Sequence, residues 1–249
     1  MTRRRLLALA GGGAALAGLA WAGPAVAQSI SVDMGEQGGD TTAHIMRLIA
    51  LLTVLSLAPG ILMMVTSFTR IVVCLSILRQ AIGTQQSPPN MVLISLALFM
   101  TMFIMAPVFR DAYDRGIEPV MQNEMEVMQG LERAAEPFRT FMLKNTRSKD
   151  IDLFMEVSDT EPVAEAEDTP YEILIPAFMI SEMRRAFEIG FLLYVPFLVI
   201  DMLIASVLMS MGMMMLPPIM VALPFKLIFF VLVDGWYLVA GSLIRSFNV

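Results

Sequence analysis

The sequence predicts an all-α, membrane-associated protein in which two helical hairpins flank a small helical periplasmic domain. Three observations carry this. Hydrophobic residues fill 57% of the 249 positions and only 16% are charged, against about 25% charged in an average soluble domain. Four apolar runs, 45–65, 91–109, 189–211 and 219–244, approach the ~20 residues that carry a helix across a bilayer. Between the second and third runs, residues 110–172 hold 16 acids against 7 bases and show helical periodicity.

Residues 1–27 read as an export signal. Arg3, Arg4 and Arg5 form a basic start, 6–21 is apolar and rich in Gly and Ala, and Ala25-Val26-Ala27 is a small-x-small cleavage site. The opening TRRRLL loosely matches a twin-arginine signal; the ordinary secretory signal is the simpler reading. Residues 28–43 are polar and form a short exported lead. The N-terminal hairpin covers 44–109. Its first run carries Arg47 near the start and Pro59-Gly60 inside, and its loop, 66–90, carries Arg70 and Arg79 and no acid. Basic loops stay in the cytoplasm, so the acidic segment 110–172 stands in the periplasm, in agreement with the signal.

Within that segment, 118–133 places Val120, Met121, Met125, Met128 and Leu131 at helical spacing. Pro137 starts a second helix, PFRTFMLKNTR, and DIDLFMEV makes a third, short one. Residues 158–168 are acidic, lack periodicity and read as a loop. The C-terminal hairpin, 173–249, has Pro196 and Pro224 in its two runs, a turn facing inward and a periplasmic C-terminus. Proline at membrane depth is tolerated when a neighbouring helix covers the broken backbone, so these helices belong in a bundle. Arg184 and Arg185 precede the third run on its outer side. They mark 171–188 as an amphipathic entry that packs on protein.

Several functions are excluded. The net charge of −6 rules against nucleic acid as a partner. One cysteine, Cys74, and one histidine, His44, allow no intrachain disulfide and no thiolate–imidazole zinc site. A nucleophile–base pair would have to use His44, in the N-terminal stretch. No enzyme constellation, metal site or cofactor motif stands out, and there is no nucleotide-binding loop.

Charges at membrane depth are the first candidate site. Asp201 lies 11 residues before Gly212 and Lys226 lies 9 after Pro217. At about 1.5 Å rise per residue a tight hairpin puts both at one height, so they pair within a hairpin or between copies. Unpaired, each would cost about 2.5–3.5 kcal/mol at the centre of a membrane helix. The pair is either a structural bridge that fixes register or a gating charge. Glu182 and Arg245 show a similar offset nearer the helix ends. Asp234 has no partner in its own hairpin and predicts an intersubunit contact or an aqueous face.

The hairpin turn is the second. Residues 209–220, MSMGMMMLPPIM, contain six methionines. Methionine fills irregular core gaps, but Met213, Met214 and Met215 are consecutive and cannot all face one core. Gly212 bends the backbone, and Pro217 with Pro218 stiffens the far side. The result is a stiff tip with flexible apolar side chains. In a ring of copies such tips converge into a collar that excludes water by dewetting and deforms around a passing chain. This reading requires an oligomer.

Three blocks resemble a known family. SFTRIVVCLSILRQAIGTQQSPPNMVLISLALFMTMFIMAP (67–107), EPFRTFMLKNTR (136–147) and TPYEILIPAFMISEMRRAFEIGFLLYVPFLVIDMLIASVLMSMGMMMLPPIMVALPFKLIFFVLVDGW (169–236) resemble the FliP family of flagellar biosynthesis. The resemblance runs from about residue 45 to the end. It implies a subunit of the type III secretion export gate. About five such copies would assemble with two smaller hydrophobic subunits, beside other flagellar export membrane components, in the inner membrane at the flagellar basal body. It implies hairpins largely above the membrane plane, which accounts for Arg184 and Arg185. It also implies a gasket at Met213, Met214 and Met215, flanked by Met209 and Met211, and unfolded flagellar proteins as substrate. Virulence injection systems share the fold; the signal and the acidic segment resemble the flagellar branch. The alternatives are a passive assembly scaffold in a virulence apparatus, or an ion-coupled transporter. A transporter usually shows internal repeats, and the two halves here differ. Residues 28–40 and 157–168 match no family motif and receive no role.

Overall fold

A computed structural model describes residues 40–84, 86–158, 166–213 and 216–247. The predicted signal, residues 28–39 of the lead, most of the acidic loop 158–168, and Met214 and Met215 lie outside the described residues. The described residues form helices and turns, with no strand among them. The chain divides into two compact units, 1–54 and 55–249.

The first helix, α1, is Asp40–Met64 and contains Pro59. It therefore begins inside the predicted lead, at Asp40. In the first unit its described side chains, Ile45 to Thr53, are exposed. An apolar helix with no buried stripe suits hydrocarbon rather than a soluble core.

The second unit departs from the predicted hairpin. The stretch 66–90, expected as a loop, contains a 15-residue helix, α2 (Phe68–Ile82). The reason is periodic: Ile71, Cys74, Leu75, Leu78, Ala81 and Ile82 fall three or four apart, and all are buried. The N-terminal hairpin is thus α2 with α3 (Asn90–Ala112), joined at 83–89. Arg79 closes that turn, donating to the Pro88 carbonyl at 3.3 Å.

Beyond α3 the backbone widens into one π-helical stretch, Tyr113–Ile117, before the short α4, Glu118–Met121. Gly116 here lies against the next helix: a Cβ would sit 2.4 Å from the Gly130 carbonyl oxygen. The single helix expected over 118–133 breaks at 122–126, where Asn123 takes φ 58°, a left-handed conformation that Asn tolerates. Met121, Met128 and Leu131, on either side of the break, are exposed. Helix α5, Val127–Asn145, runs through Pro137 rather than restarting there. The ring is buried, and the adjoining Phe138 meets Phe109 of α3 edge-on at 5.7 Å. Helix α6, Ser148–Val157, packs Ile151 and Met155 against Ile173 and Ala177.

Those last two residues open α7, Tyr171–Ser210, a single helix of 40 residues. At about 1.5 Å per residue it spans ~60 Å, twice the hydrocarbon thickness of ~30 Å. The entry 171–188 is its first half, with Leu174, Phe178, Ser181 and Ala186 buried against protein. The fourth apolar run is not one helix. It divides into α8 (Pro218–Leu232) and α9 (Gly235–Arg245), bent by 65° where Asp234 takes φ 50°. Three helical stretches, Ile45–Met64, Asn90–Met121 and Tyr171–Ser210, are long and apolar enough to cross a membrane, and the bent pair makes a possible fourth.

Candidate functional site

Two charge pairs pin opposite ends of α2 to α7 and its neighbours. At the first end the Arg70 Nε donates to Glu182 Oε2 at 2.8 Å, and its Nη2 makes a short bond to Oε1. Both side chains have 0% exposure. The remaining Arg70 protons reach the Ser246 carbonyl at 2.9 Å, its hydroxyl at 3.0 Å and Asn145 Oδ1 at 3.4 Å. The guanidinium also stacks 3.6 Å from the Phe247 ring centre. One cation thereby joins α2, α5, α7 and the C-terminal end. A buried Arg uses its fixed fork in this way because an unpaired charge there is prohibitive.

This corrects the expected Glu182–Arg245 pairing. Arg245 is exposed and turns back to the Gly241 carbonyl at 3.0 Å. The bend at Asp234 carries α9 off the hairpin axis, so the offset from the turn no longer measures height. Arg70, which the sequence placed in a loop, is the missed residue. Its signal was the apolar periodicity immediately after it.

At the other end of α2, Lys226 Nζ lies 2.6 Å from Asp201 Oδ2 and donates to the Ala81 carbonyl at 3.1 Å. The Lys226 side chain is 5% exposed and that of Asp201 30%. Asp201 Oδ1 is buried without a partner among the described residues. Asp234 is exposed and heads α9, where its carbonyl accepts from Leu238 N at 3.1 Å.

A third cluster ties α6 to α7. Ser181 Oγ donates to Asp150, which also takes Arg147 Nη2 at 2.7 Å and Nε at 3.0 Å. Burial alone would raise the Asp150 pKa, but the Ser181 hydroxyl and the Arg147 guanidinium outweigh it and hold the carboxyl below its ordinary value. Cys74 is packed in the core with its thiol donating to the Ala186 carbonyl at 3.4 Å. Burial pushes its pKa up to about 12, which leaves an inert thiol. Among the described residues no group of three or more His, Cys, Asp or Glu side chains is placed to hold a metal.

The methionine turn closes α7 with two backbone bonds: Met213 N to Leu208 O at 3.0 Å and Gly212 N to Met209 O at 3.1 Å. With Gly212 at φ 73° this is a Schellman cap, which only glycine adopts without strain. Pro217 then caps α8 and Pro218 is its first residue, a position that suits a residue without an N–H. The described tip side chains face away from the chain: Met209 is 63% exposed, Met211 62% and Met213 43%. A Cβ on Gly212 would meet nothing within 4 Å.

Residues 51–243 match the FliP family. The flagellar biosynthetic protein FliP of Caulobacter vibrioides is 57% identical, over 90% of this chain and 84% of that protein. The protein of the same name from Agrobacterium fabrum is 51% identical over 92% of this chain and 96% of its own length. The Bacillus subtilis protein is likewise 51% identical, over 84% and 94%. The matched span contains Arg70, Glu182, Asp201, Lys226 and the capped methionine turn, and the chain belongs to the FliP family of flagellar biosynthesis proteins.

Proposed function

We propose that the chain is a pore-forming subunit of the flagellar protein export gate, and that its methionine tip is the flexible seal of the closed pore. The observation that carries this is the contrast at the tip. The backbone is held by a Schellman cap and two prolines, while the described methionines Met209, Met211 and Met213 are exposed. Copies arranged around an axis, about five by the family resemblance, bring such tips together. Apolar side chains at a constriction exclude water and ions, and methionine's three rotatable bonds let the seal reshape around an unfolded flagellar protein.

Two smaller hydrophobic subunits and other export components in the inner membrane complete this assembly. Arg70 joins Asn145 of the acidic segment to Ser246 near the C-terminus. That proximity supports the segment 110–172 and the C-terminus lying on one side, read as periplasmic. The processed N-terminus lies on that side too.

The test replaces Met213, Met214 and Met215 together by glycine in the expressed complex and records small-ion leak beside wild type, with assembly checked on native gels. Leak through intact complexes is expected. Tight, export-competent complexes would overturn the seal and leave the chain as an assembly scaffold.

A further inference from the structure

Methionine occupies two kinds of place in the second unit. Met100, Met105, Met142 and Met155 are buried, where packing shields the sulfur. Met209, Met211 and Met213, at the tip of the turn, are exposed. Sealing alone does not require methionine there. Leucine excludes water as well, and it carries no atom that a peroxide oxidises. Methionine adds flexibility and, with it, an accessible thioether sulfur.

The tip's backbone does not depend on those sulfurs. Its cap is made of main-chain bonds, Met213 N to Leu208 O and Gly212 N to Met209 O, and Pro217 with Pro218 sets the start of α8. Leu208, the residue that accepts the first of these bonds, is buried, and none of the three tip methionines belongs to the core. A change of polarity at Met209, Met211 or Met213 therefore leaves the fold in place and alters only the surface that the tip presents. A constriction also borders water on either side. Thioethers that line one are within reach of a small neutral oxidant even while ions are excluded.

We propose that the methionine tip is also an oxidation site, at which a peroxide loosens the seal; this rests on the seal proposed above. The thioether sulfur attacks one peroxide oxygen. The S–O bond forms as the O–O bond breaks, sulfur gives up two electrons, and the second oxygen leaves as water with the proton of the first. The product is a sulfoxide, which is polar where the thioether was apolar and which disrupts methionine-rich contacts. Exclusion of water needs an apolar wall, so sulfoxides hydrate the constriction and ions follow.

The test places the assembled complex in sealed lipid vesicles and reads small-ion leak before and after hydrogen peroxide. Tandem mass spectrometry locates the sulfoxides, and native gels confirm that the complex stays whole. Wild type is expected to gain sulfoxide at the tip before the buried methionines, with leak rising about tenfold, the equivalent of ~1.4 kcal/mol off the barrier. Replacing Met209, Met211, Met213, Met214 and Met215 together by leucine keeps the wall apolar and leaves exposed methionines elsewhere, such as Met91 and Met202, in place. That variant is expected to stay tight under peroxide. Met211→Gln with Met213→Gln installs a permanent polar group and is expected to leak with no oxidant, which decides the matter even if the leucine tip packs poorly. A tight wild-type complex with an oxidised tip would overturn the proposal. So would a tip that peroxide spares, a leucine tip that responds to peroxide as wild type does, or a tight glutamine tip. The seal is judged separately: leak from the glycine variant beside a tight oxidised wild type would keep the seal and remove the oxidation site.

Discussion

Glu182→Gln tests the frame most directly. It keeps the shape of the side chain and removes the one negative charge facing Arg70. What then holds the cation is neutral: the Ser246 carbonyl and hydroxyl, Asn145 Oδ1 and the Phe247 ring. Water does not screen the loss, since both side chains have 0% exposure. The new amide also turns a donor toward a guanidinium that only donates. Removing one partner of a buried pair costs about 3–5 kcal/mol, and the surviving neutral contacts place this substitution near ~3. For a chain of this length each kcal/mol moves the unfolding midpoint by about 2–4 °C. A drop of roughly 6–12 °C follows from those two figures, read as loss of the gel-filtration peak on heating in mild detergent. The companion variant, Arg70→Met with Glu182→Leu, removes both desolvation costs and is expected to recover most of the loss, because apolar replacement of a buried pair is often neutral or stabilising. A Glu182→Gln shift under about 2 °C, or a double variant weaker than the single one, would refute the reasoning.

Other outcomes follow from the same geometry. Lys226→Ala leaves Asp201 uncompensated and frees the Ala81 carbonyl; reduced yield of assembled complex on native gels is expected, with closed-pore tightness less affected. Normal yield with a specific export defect would assign the pair to gating instead. Asp150 has a folded pKa below its ordinary 3.8, so the unfolded chain binds the proton more readily. Its contribution is present above pH 3.8 and is lost as pH falls through the lower folded value. Asp150→Asn is therefore expected to lower the neutral-pH midpoint and flatten the acid limb of a stability–pH curve, and an unchanged acid limb would remove Asp150 from the account. Gly116→Ala drives a methyl to 2.4 Å from the Gly130 oxygen and 2.7 Å from the Ala134 nitrogen. Both are backbone atoms, so overpacking of about 1–3 kcal/mol is expected, seen as faster proteolysis around the π-helical stretch. Wild-type cleavage rates would mean that the contact between the π-helical stretch and α5 opens freely.

The two charge pairs show what a sequence can and cannot carry. Asp201 and Lys226 are 25 residues apart across one tight turn, and counting from that turn measures height along a known geometry. Arg70 and Glu182 are 112 residues apart and meet only because α2 packs along α7. No offset encodes that contact. Counting also failed for Arg245 because the turn-based ruler stops at the bend, and the left-handed Asp234 gives no hydrophobic signal. The four apolar runs were legible because composition alone reveals them. Helix α2 was not, because two basic residues and no acid made a buried helix resemble a cytoplasmic loop. In α5 the spacing of Met128 and Leu131 located the helix but not its buried face, since both are exposed.

The separation of frame from tip gives the proposed export-gate function its sharpest consequence. Helix α2 is held at Arg70 and again at the Ala81 carbonyl, by Glu182 and Lys226 respectively, and neither clamp includes a methionine of the turn. The tip's backbone is in turn fixed by its own cap and prolines, not by the clamps. Changes at the clamps should therefore act on how much complex forms, while changes to the thioethers should act on what passes through it. A clamp substitution that leaks from fully assembled complexes would break that division. It would mean that the frame transmits strain into the tip despite the absence of a shared side chain.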